Sequence, residues 1–341
     1  MILLKWRVLK LVLLLAVALT MPSIAKAQSA MTEIPLGGTS SSGTTTQTQT
    51  GSFADTTTVA DSDGTTSTPS PTSTTGPEAA AFDGTYVWVA TQFTNSITRI
   101  RVSDGTVAGT FVVGKRPVAL LYAAGYIWCA NLLSNTVTKV TPSTGAIAAT
   151  YPVTDGPGGL AFDGTNIWVA NRHSNNVTKL STAGKVLGSF AVGKRPIGLA
   201  FNANSIWVAA NFSNMVYRLS TTGAVLGKYE VGKGPFGVAA EGENVWVTNY
   251  FAKTVTKLRA SDGLTLGTFK VGDGASGIVF DGRSVWVVNN GDSTLMRLSP
   301  SDGGVIATYN TGKGPFSVAF DGTRVWVPNF GSNSISVTAA N

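Results

Sequence analysis

The sequence predicts an all-β protein: a seven-bladed β-propeller of four-stranded antiparallel blades, closed by an N-terminal strand. Each repeat contains four short stretches rich in Val, Ile, Thr and aromatic residues, separated by turn residues. No segment shows a sustained apolar period of 3.6 residues, which disfavours helical repeats. Seven tryptophans recur at spacings of 39 or 40 residues, the length of one blade: Trp88, Trp128, Trp168, Trp207, Trp246, Trp286 and Trp326.

The third repeat illustrates the four strands, which we predict at residues 158–162, 166–171, 176–181 and 185–192. Turn residues such as Asp163-Gly164 separate them and tolerate the positive φ of tight hairpins. The repeated tryptophan falls in the second strand. Because aromatic residues at the repeat period normally mark a core, we expect the tryptophans to pack between neighbouring blades rather than to stack on a ligand.

The number of strands indicates how the ring closes. The first three strands occur seven times, but the fourth occurs six times, the last at residues 305–311. An N-terminal segment must therefore supply the missing strand, since an unpaired edge would otherwise remain. Two segments are candidates: residues 51–54 copy residues 188–191 of a true fourth strand, and residues 32–36 are more apolar. We favour residues 32–36.

The N-terminus has the features of a signal peptide at residues 1–27. Basic residues flank an apolar run at 11–19, and the small residues Ala25 and Ala27 frame a cleavage site. Export would place the protein in the periplasm, outside the cell or on its surface. No later stretch is long enough to predict a transmembrane span. The Thr/Ser/Gly-rich segment 28–76 lacks apolar residues apart from the possible closing strand, and is expected to be a loop or linker before the propeller at 77–341.

The propeller is moderately basic, since residues 77–341 hold 21 basic and 14 acidic side chains. This balance favours anionic partners. The lone cysteine, Cys129, cannot form an internal disulfide and is expected to be a small buried apolar residue.

Two sets of loops share one face of the predicted ring, which we call the loop face. One set consists of the connections from each fourth strand to the next first strand. Most of these connections carry a basic residue before a proline or glycine, and two carry an acid instead, Asp155 and Asp273. These bases are expected to ring the mouth of the central channel and attract anions. The same residues are explained equally well if Gly and Pro simply form the turns and the lysines are solvent-exposed residues without a binding role. The bases are Lys115, Arg116, Lys194, Arg195, Lys233 and Lys313.

The connections from each second to third strand begin with Asn in most blades, which we expect to form an Asx-turn with its own backbone. The following positions vary and supply further candidate ligand-binding residues. Exposed aromatic side chains beside bases suit a single-stranded nucleic acid or a glycan. The candidates in these loops are Arg172, His173, Phe212, Tyr250 and Phe330.

Catalysis is disfavoured because His173 is the only histidine and no acidic pair is joined to it by a motif. We predict no catalytic residues, no metal site and no cofactor. The Asp-Gly pairs of the opposite face, such as Asp163-Gly164, are hairpin turns whose spacing differs from that of a Ca²⁺-binding loop.

The repeat resembles the YVTN repeat of seven-bladed surface-layer and periplasmic propellers, and more loosely the virginiamycin B lyase-like propellers. The residues that carry the resemblance are Ile-Trp-Val-Ala-Asn at 167–171, Val-Trp-Val-Thr-Asn at 245–249 and Thr-Val-Thr-Lys-Leu at 254–258. The YVTN resemblance implies an exported propeller, with single-stranded DNA binding as one theme. The lyase resemblance implies a site of histidines, glutamates and Mg²⁺ at the channel mouth.

The sequence therefore predicts a monomeric, non-catalytic binding scaffold that holds a protein, a glycan or an anionic polymer such as single-stranded DNA on its loop face. Two alternatives stay open. One is a metal-dependent lyase or lactonase-like enzyme at the channel mouth, and the other is a purely structural surface protein.

Overall fold

A computed structural model describes residues 29–36 and 75–340 and confirms the predicted seven-bladed propeller. In the first five blades, four antiparallel strands follow one another in chain order from the innermost to the outermost, and the last two blades also include N-terminal strands. The predicted signal peptide and the alternative closing segment 51–54 lie outside the described residues. Within the described residues, no helix is long and apolar enough to cross a membrane.

The first three blades contain the strands β3 (Pro77–Phe82), β4 (Tyr86–Thr91), β5 (Ser96–Arg101), β6 (Val107–Val112); β7 (Pro117–Ala123), β8 (Tyr126–Asn131), β9 (Thr136–Val140), β10 (Ile147–Pro152); and β11 (Pro157–Phe162), β12 (Asn166–Asn171), β13 (Asn176–Ser181), β14 (Val186–Ala191). The next two contain β15 (Pro196–Asn202), β16 (Ser205–Ala210), β17 (Met215–Ser220), β18 (Val225–Glu230), with a short 3₁₀ helix at Asn211–Ser213; and β19 (Pro235–Glu241), β20 (Asn244–Asn249), β21 (Thr254–Arg259), β22 (Thr265–Lys270). The last two contain β23 (Ala275–Phe280), β24 (Val285–Asn289), β25 (Thr294–Leu298), β26 (Val305–Asn310); and β27 (Ala319–Phe320), β28 (Arg324–Asn329), β29 (Ser334–Ala339).

The N-terminal segment closes the ring. Strand β2 (Thr32–Pro35) pairs antiparallel with β29 and supplies the fourth strand of the seventh blade. Residues 32–36, the favoured candidate, thus provide this strand. Just before it, β1 (Ser29–Ala30) pairs parallel with β26, on the outer edge of the sixth blade. The segment therefore joins two neighbouring blades, an arrangement that the sequence did not indicate.

The seven repeated tryptophans form the core between blades, as predicted. All are fully buried, and each lies in an apolar cluster with residues of a neighbouring blade. In six blades the indole also packs against an aromatic ring of the fourth strand at centroid distances of 5.5–6.0 Å, as Trp168 does with Phe190. Cys129 is likewise buried, and burial raises the pKa of its thiol.

Several bases have structural roles between blades, which reduces the number available to a ligand. A third-strand Lys or Arg lies over the tryptophan of its blade and donates a hydrogen bond to a carbonyl of the next blade, as Lys179 does to Thr221 O at 2.7 Å. The same link joins further blades through Arg99 to Pro142 O, Lys139 to Thr182 O, Arg218 to Ser261 O and Lys257 to Pro300 O.

The Asp-Gly hairpins opposite the loop face are structural. The Asp163 carboxylate accepts hydrogen bonds from the backbone N–H groups of Thr165 and Asn166 and from Trp168 Nε1 at 2.8 Å. One side chain thus fixes the turn and satisfies the buried indole N–H. Asp83, Asp281 and Asp321 bind the indoles of their blades in the same way.

Candidate functional site

Backbone hydrogen bonds fix the two sets of loops on the loop face. In the second blade, Leu132 N donates to Arg116 O at 2.9 Å and Leu133 N donates to Lys115 O at 3.2 Å. The Asn95 side chain of the first blade accepts a hydrogen bond from Arg116 N at 2.9 Å. Equivalent bonds recur around the ring, so the loops present their side chains from a defined backbone.

The Asx-turn prediction for the Asn that begins each second-to-third loop was wrong. Asn131 is fully buried, and its Nδ2 donates to Thr136 Oγ1 at 3.1 Å and Thr138 Oγ1 at 2.9 Å. Asn249 and Asn329 bond the third strands of their blades in the same way. In these three blades, hydroxyl residues two positions apart on the third strand face this Asn and accept hydrogen bonds from its Nδ2.

Arg116 and Arg195 adopt a left-handed backbone conformation, with φ values of 54° and 53°. For a residue with a side chain, this conformation costs about 1–2 kcal/mol relative to its ordinary one. The other five blades have glycine at the equivalent position: Gly76, Gly156, Gly234, Gly274 and Gly314, all with positive φ. Arginine at these two positions is therefore unfavourable for the backbone.

A cavity of about 170 Å³ lies on the axis of the ring, among the first strands of all seven blades. Polar and apolar surface contribute almost equally to its wall, and Glu78 and Arg172 are the two charged side chains that the described residues contribute to it. Glu78 is the second residue of β3, and Arg172 belongs to the loop between β12 and β13. The cavity therefore has its charged groups at the loop-face end.

Four charged groups influence one another at this end of the cavity, and we call them the Arg–Glu cluster: Arg116, Arg172, Arg195 and Glu78. The pKa of Arg172 is lowered to about 10, mainly because the side chain is buried. The negative charge of Glu78 raises this pKa, and the positive charges of Arg195 and Arg116 lower it. Burial raises the pKa of Glu78, while Arg172 and Arg116 lower it. One carboxylate and two further guanidinium groups thus act on Arg172, and positive charges outnumber the negative one.

Side-chain contacts orient two of these arginines. Arg116 Nε donates a hydrogen bond to Gln92 Oε1 at 2.8 Å, and Gln92 is itself buried. The Arg195 guanidinium lies over the ring of Phe212, 4.7 Å from its centroid. Because both contacts restrict the side chains, less conformational entropy is lost when a ligand binds.

The remaining predicted residues lie on the loop face outside the Arg–Glu cluster. His173 is exposed, and its Nδ1 is 3.4 Å from Asp155 Oδ1. Tyr250 is half-buried and donates a hydrogen bond to Asn290 Oδ1 at 3.2 Å. Phe330 packs against Phe93 at a centroid distance of 5.2 Å. The four lysines are exposed on their loops: Lys115, Lys194, Lys233 and Lys313.

Sequence reasoning missed Glu78 and the exposed Phe251. Phe93, Phe212 and Phe251 are each more than half exposed, so in the fifth blade Phe251 is a more exposed ring than its neighbour Tyr250. A signal for Glu78 was present in the sequence. The equivalent second position of the other first strands is uncharged: Val118, Gly158, Ile197, Phe236, Ser276 and Phe316.

Among the residues that the structure describes, no group of three or more His, Cys, Asp or Glu side chains is placed to hold a metal ion.

Glu78→Gln is expected to change how stability depends on pH. The carboxyl has a pKa above its ordinary value of 4.5, so the folded protein binds this proton more tightly than the unfolded chain does. Its contribution to stability is therefore greatest at low pH and is lost as the pH rises through the raised pKa. We compare the free energy of unfolding of the wild type with that of Glu78→Gln. The difference, wild type minus variant, should increase as the pH is lowered towards 4.5. Denaturant titrations at several pH values measure this difference, and a flat difference would contradict the prediction.

No protein-family model matches the chain, and a search of curated proteins gave no match. The YVTN-repeat resemblance therefore stays a prediction. Among solved structures, a streptogramin B lyase has a TM-score of 0.69 at 19% identity, with 78% of this chain and 94% of that chain covered. Virginiamycin B lyase from Staphylococcus aureus has a TM-score of 0.70 at 19% identity, covering 78% and 96%. Hydrazine synthase from Kuenenia stuttgartiensis has a TM-score of 0.72 at 17% identity, covering 81% and 99%. At these identities the likeness concerns the fold: the chain has the β-propeller fold of the virginiamycin B lyase-like proteins.

Proposed function

We propose that the protein is an exported, non-catalytic scaffold that binds an anionic polymer on its loop face. The observation that carries this proposal is the charge at the loop-face end of the axial cavity, where Glu78 and Arg172 line the wall and the charges of Arg116 and Arg195 act on Arg172. Guanidinium groups bind phosphate and carboxylate oxygens through paired N–H donors. The exposed lysines of the neighbouring loops extend the positive charge outward.

Single-stranded nucleic acid is the polymer that these residues suit best. Three exposed phenylalanines, Phe93, Phe212 and Phe251, accompany the bases on the same face. Bases of a single strand stack on such rings, and basic side chains neutralise the phosphates. An acidic glycan would use the positive charge but would gain less from the aromatic rings.

Binding of a labelled oligothymidylate is expected at low salt and should weaken as salt is raised. The logarithm of the association constant is plotted against the logarithm of the salt concentration. If the protein neutralises three or more phosphates, the slope of this plot should be about −2 or steeper. Fluorescence anisotropy over a salt series measures this slope, and a sulfated glycan gives the comparison with a polymer that lacks bases.

The control is a charge removed from the opposite face. Arg283 is exposed beside the hairpin turn at Asp281-Gly282, so Arg283→Ala lowers the net charge without touching the loop face. Arg283→Ala should bind the oligonucleotide nearly as well as the wild type. No binding at low salt, or an equal loss in Arg283→Ala and Arg116→Ala, would remove the proposal.

A further inference from the structure

Arg172 has unused hydrogen-bonding capacity in the wall of the axial cavity. A guanidinium group has five N–H donors. Among the described residues, the Arg172 side chain makes one hydrogen bond, from Nη2 to Gly158 O at 3.3 Å, and its buried Nε has no acceptor. Nε is covered by Gly158, whereas the terminal nitrogens of this half-buried side chain hold the remaining N–H donors, which an acceptor from outside the chain can reach.

Gly158 makes room for this arginine. A Cβ atom at Gly158 would lie 2.0 Å from Arg172 Nε, so any larger residue would displace the guanidinium. Val118, Ile197 and Phe236 occupy the equivalent position in three other blades. The third blade therefore combines a long base with the small residue that lets it reach the cavity wall.

The charges around Arg172 favour an anion with two negative charges. Arg116 and Arg195 add to its positive charge, and Glu78 offsets one of the three. The balance is positive, so a phosphate monoester, which carries up to two negative charges, gains more from it than a single carboxylate does. Burial of Arg172 and Glu78 strengthens these interactions, because water screens buried charges less than charges at an open surface.

We infer that the loop-face end of the axial cavity is a site for one phosphate group, bound by Arg172 together with Arg116 and Arg195. This inference rests on the proposed function and sharpens it: an anionic polymer would insert a terminal phosphate into the cavity while the rest of the strand lies across the loop face. Free phosphate presents the same chemistry, so the test includes both sources.

Inorganic phosphate is the direct probe, titrated by calorimetry at constant ionic strength with chloride and acetate for comparison. Phosphate should bind more tightly than either. Arg172→Ala should weaken phosphate binding by about tenfold or more, since charged hydrogen bonds are lost. Arg172→Lys should recover part of the loss because it keeps the charge without the paired donors. Arg283→Ala is the matched control and should leave binding unchanged.

Glu78→Gln provides a second, independent variant that nearly preserves the shape of the side chain. Removing the negative charge beside the phosphate should tighten binding, by about threefold or more. If Arg172→Ala fails to fold, this variant decides the matter. Phosphate that binds no better than chloride, an unchanged affinity in Arg172→Ala, or an unchanged affinity in Glu78→Gln would each overturn the inference.

Oligothymidylates with and without a 5′ phosphate separate this inference from the proposed function. The phosphorylated strand should bind more tightly, and Arg172→Ala should abolish the difference. Equal, salt-dependent binding of both strands would overturn the phosphate site and leave the polymer scaffold standing. Phosphate binding without binding of either strand would have the opposite meaning, because it would support the site and remove the polymer.

Discussion

Leu36→Ala is expected to lower the free energy of unfolding by about 3 kcal/mol, within the range for truncating a buried leucine. Leu36 directly follows β2 and is almost completely buried. It packs in one cluster with Val87 and Val89 of the first blade and Trp326 and Ile335 of the seventh. The side chain therefore lies at the joint where the two ends of the ring meet.

Hydrogen bonds add to this joint, so the truncation acts on a connected structure. Leu36 N donates to Asn333 O at 2.9 Å, and Asn333 Nδ2 donates to Leu36 O at 2.7 Å. Asn333 Oδ1 also accepts a hydrogen bond from Thr75 N at 2.7 Å, just before the first blade begins. Loosening Leu36 weakens the contacts of both terminal blades.

Urea titration followed by tryptophan fluorescence measures the effect, because seven tryptophans report on the spaces between blades. Leu226→Ala is the matched control, since Leu226 is half exposed on an outer strand and its truncation should change stability by about 0.5 kcal/mol or less. Equal effects of the two substitutions would show that the N-terminal strand contributes little to closure.

The fold could be predicted because each blade is built from the same sequence of short strands and hairpin turns. The tryptophan period, the turn residues and the count of fourth strands follow from the chain alone, since neighbouring strands are joined by short hairpins. Strand β1 escaped prediction because two residues in parallel pairing with β26 carry no pattern of their own. The role of Asn131 was misjudged because its partners, Thr136 and Thr138, lie on the next strand rather than in its own loop.

The candidate site could be predicted only in part. Arg116 and Arg195 were identified because strand alternation places the fourth-to-first loops on one face. Their influence on Arg172 depends on how long side chains from separate blades are directed, which no local pattern encodes. The sequence did contain one clue, a single charged residue at the second position of a first strand, but the search for bases overlooked an acid.

Replacing Arg116 and Arg195 together by glycine is expected to stabilise the protein while weakening its binding of anions. Glycine adopts the left-handed conformation without the cost that these arginines bear, so the free energy of unfolding should rise by about 0.5–1 kcal/mol per site. Two of the three guanidinium groups at the cavity would be lost. Affinity for the oligonucleotide at low salt should fall on the order of a hundredfold, and the salt slope should become shallower by about 1.4.

Alanine at the same two positions separates charge from backbone strain. The alanine pair also removes both charges but keeps a Cβ atom in the left-handed conformation. Both pairs should therefore lose binding equally, while the glycine pair alone should be more stable than the wild type. Urea titrations and anisotropy on the same preparations test both halves. A glycine pair that binds like the wild type would show that these arginines have no part in the site. A glycine pair no more stable than the alanine pair would show that the left-handed backbone carries no cost. If both results are as expected, Arg116 and Arg195 destabilise the fold relative to glycine but are needed for binding. That combination is what a binding role for these two arginines predicts.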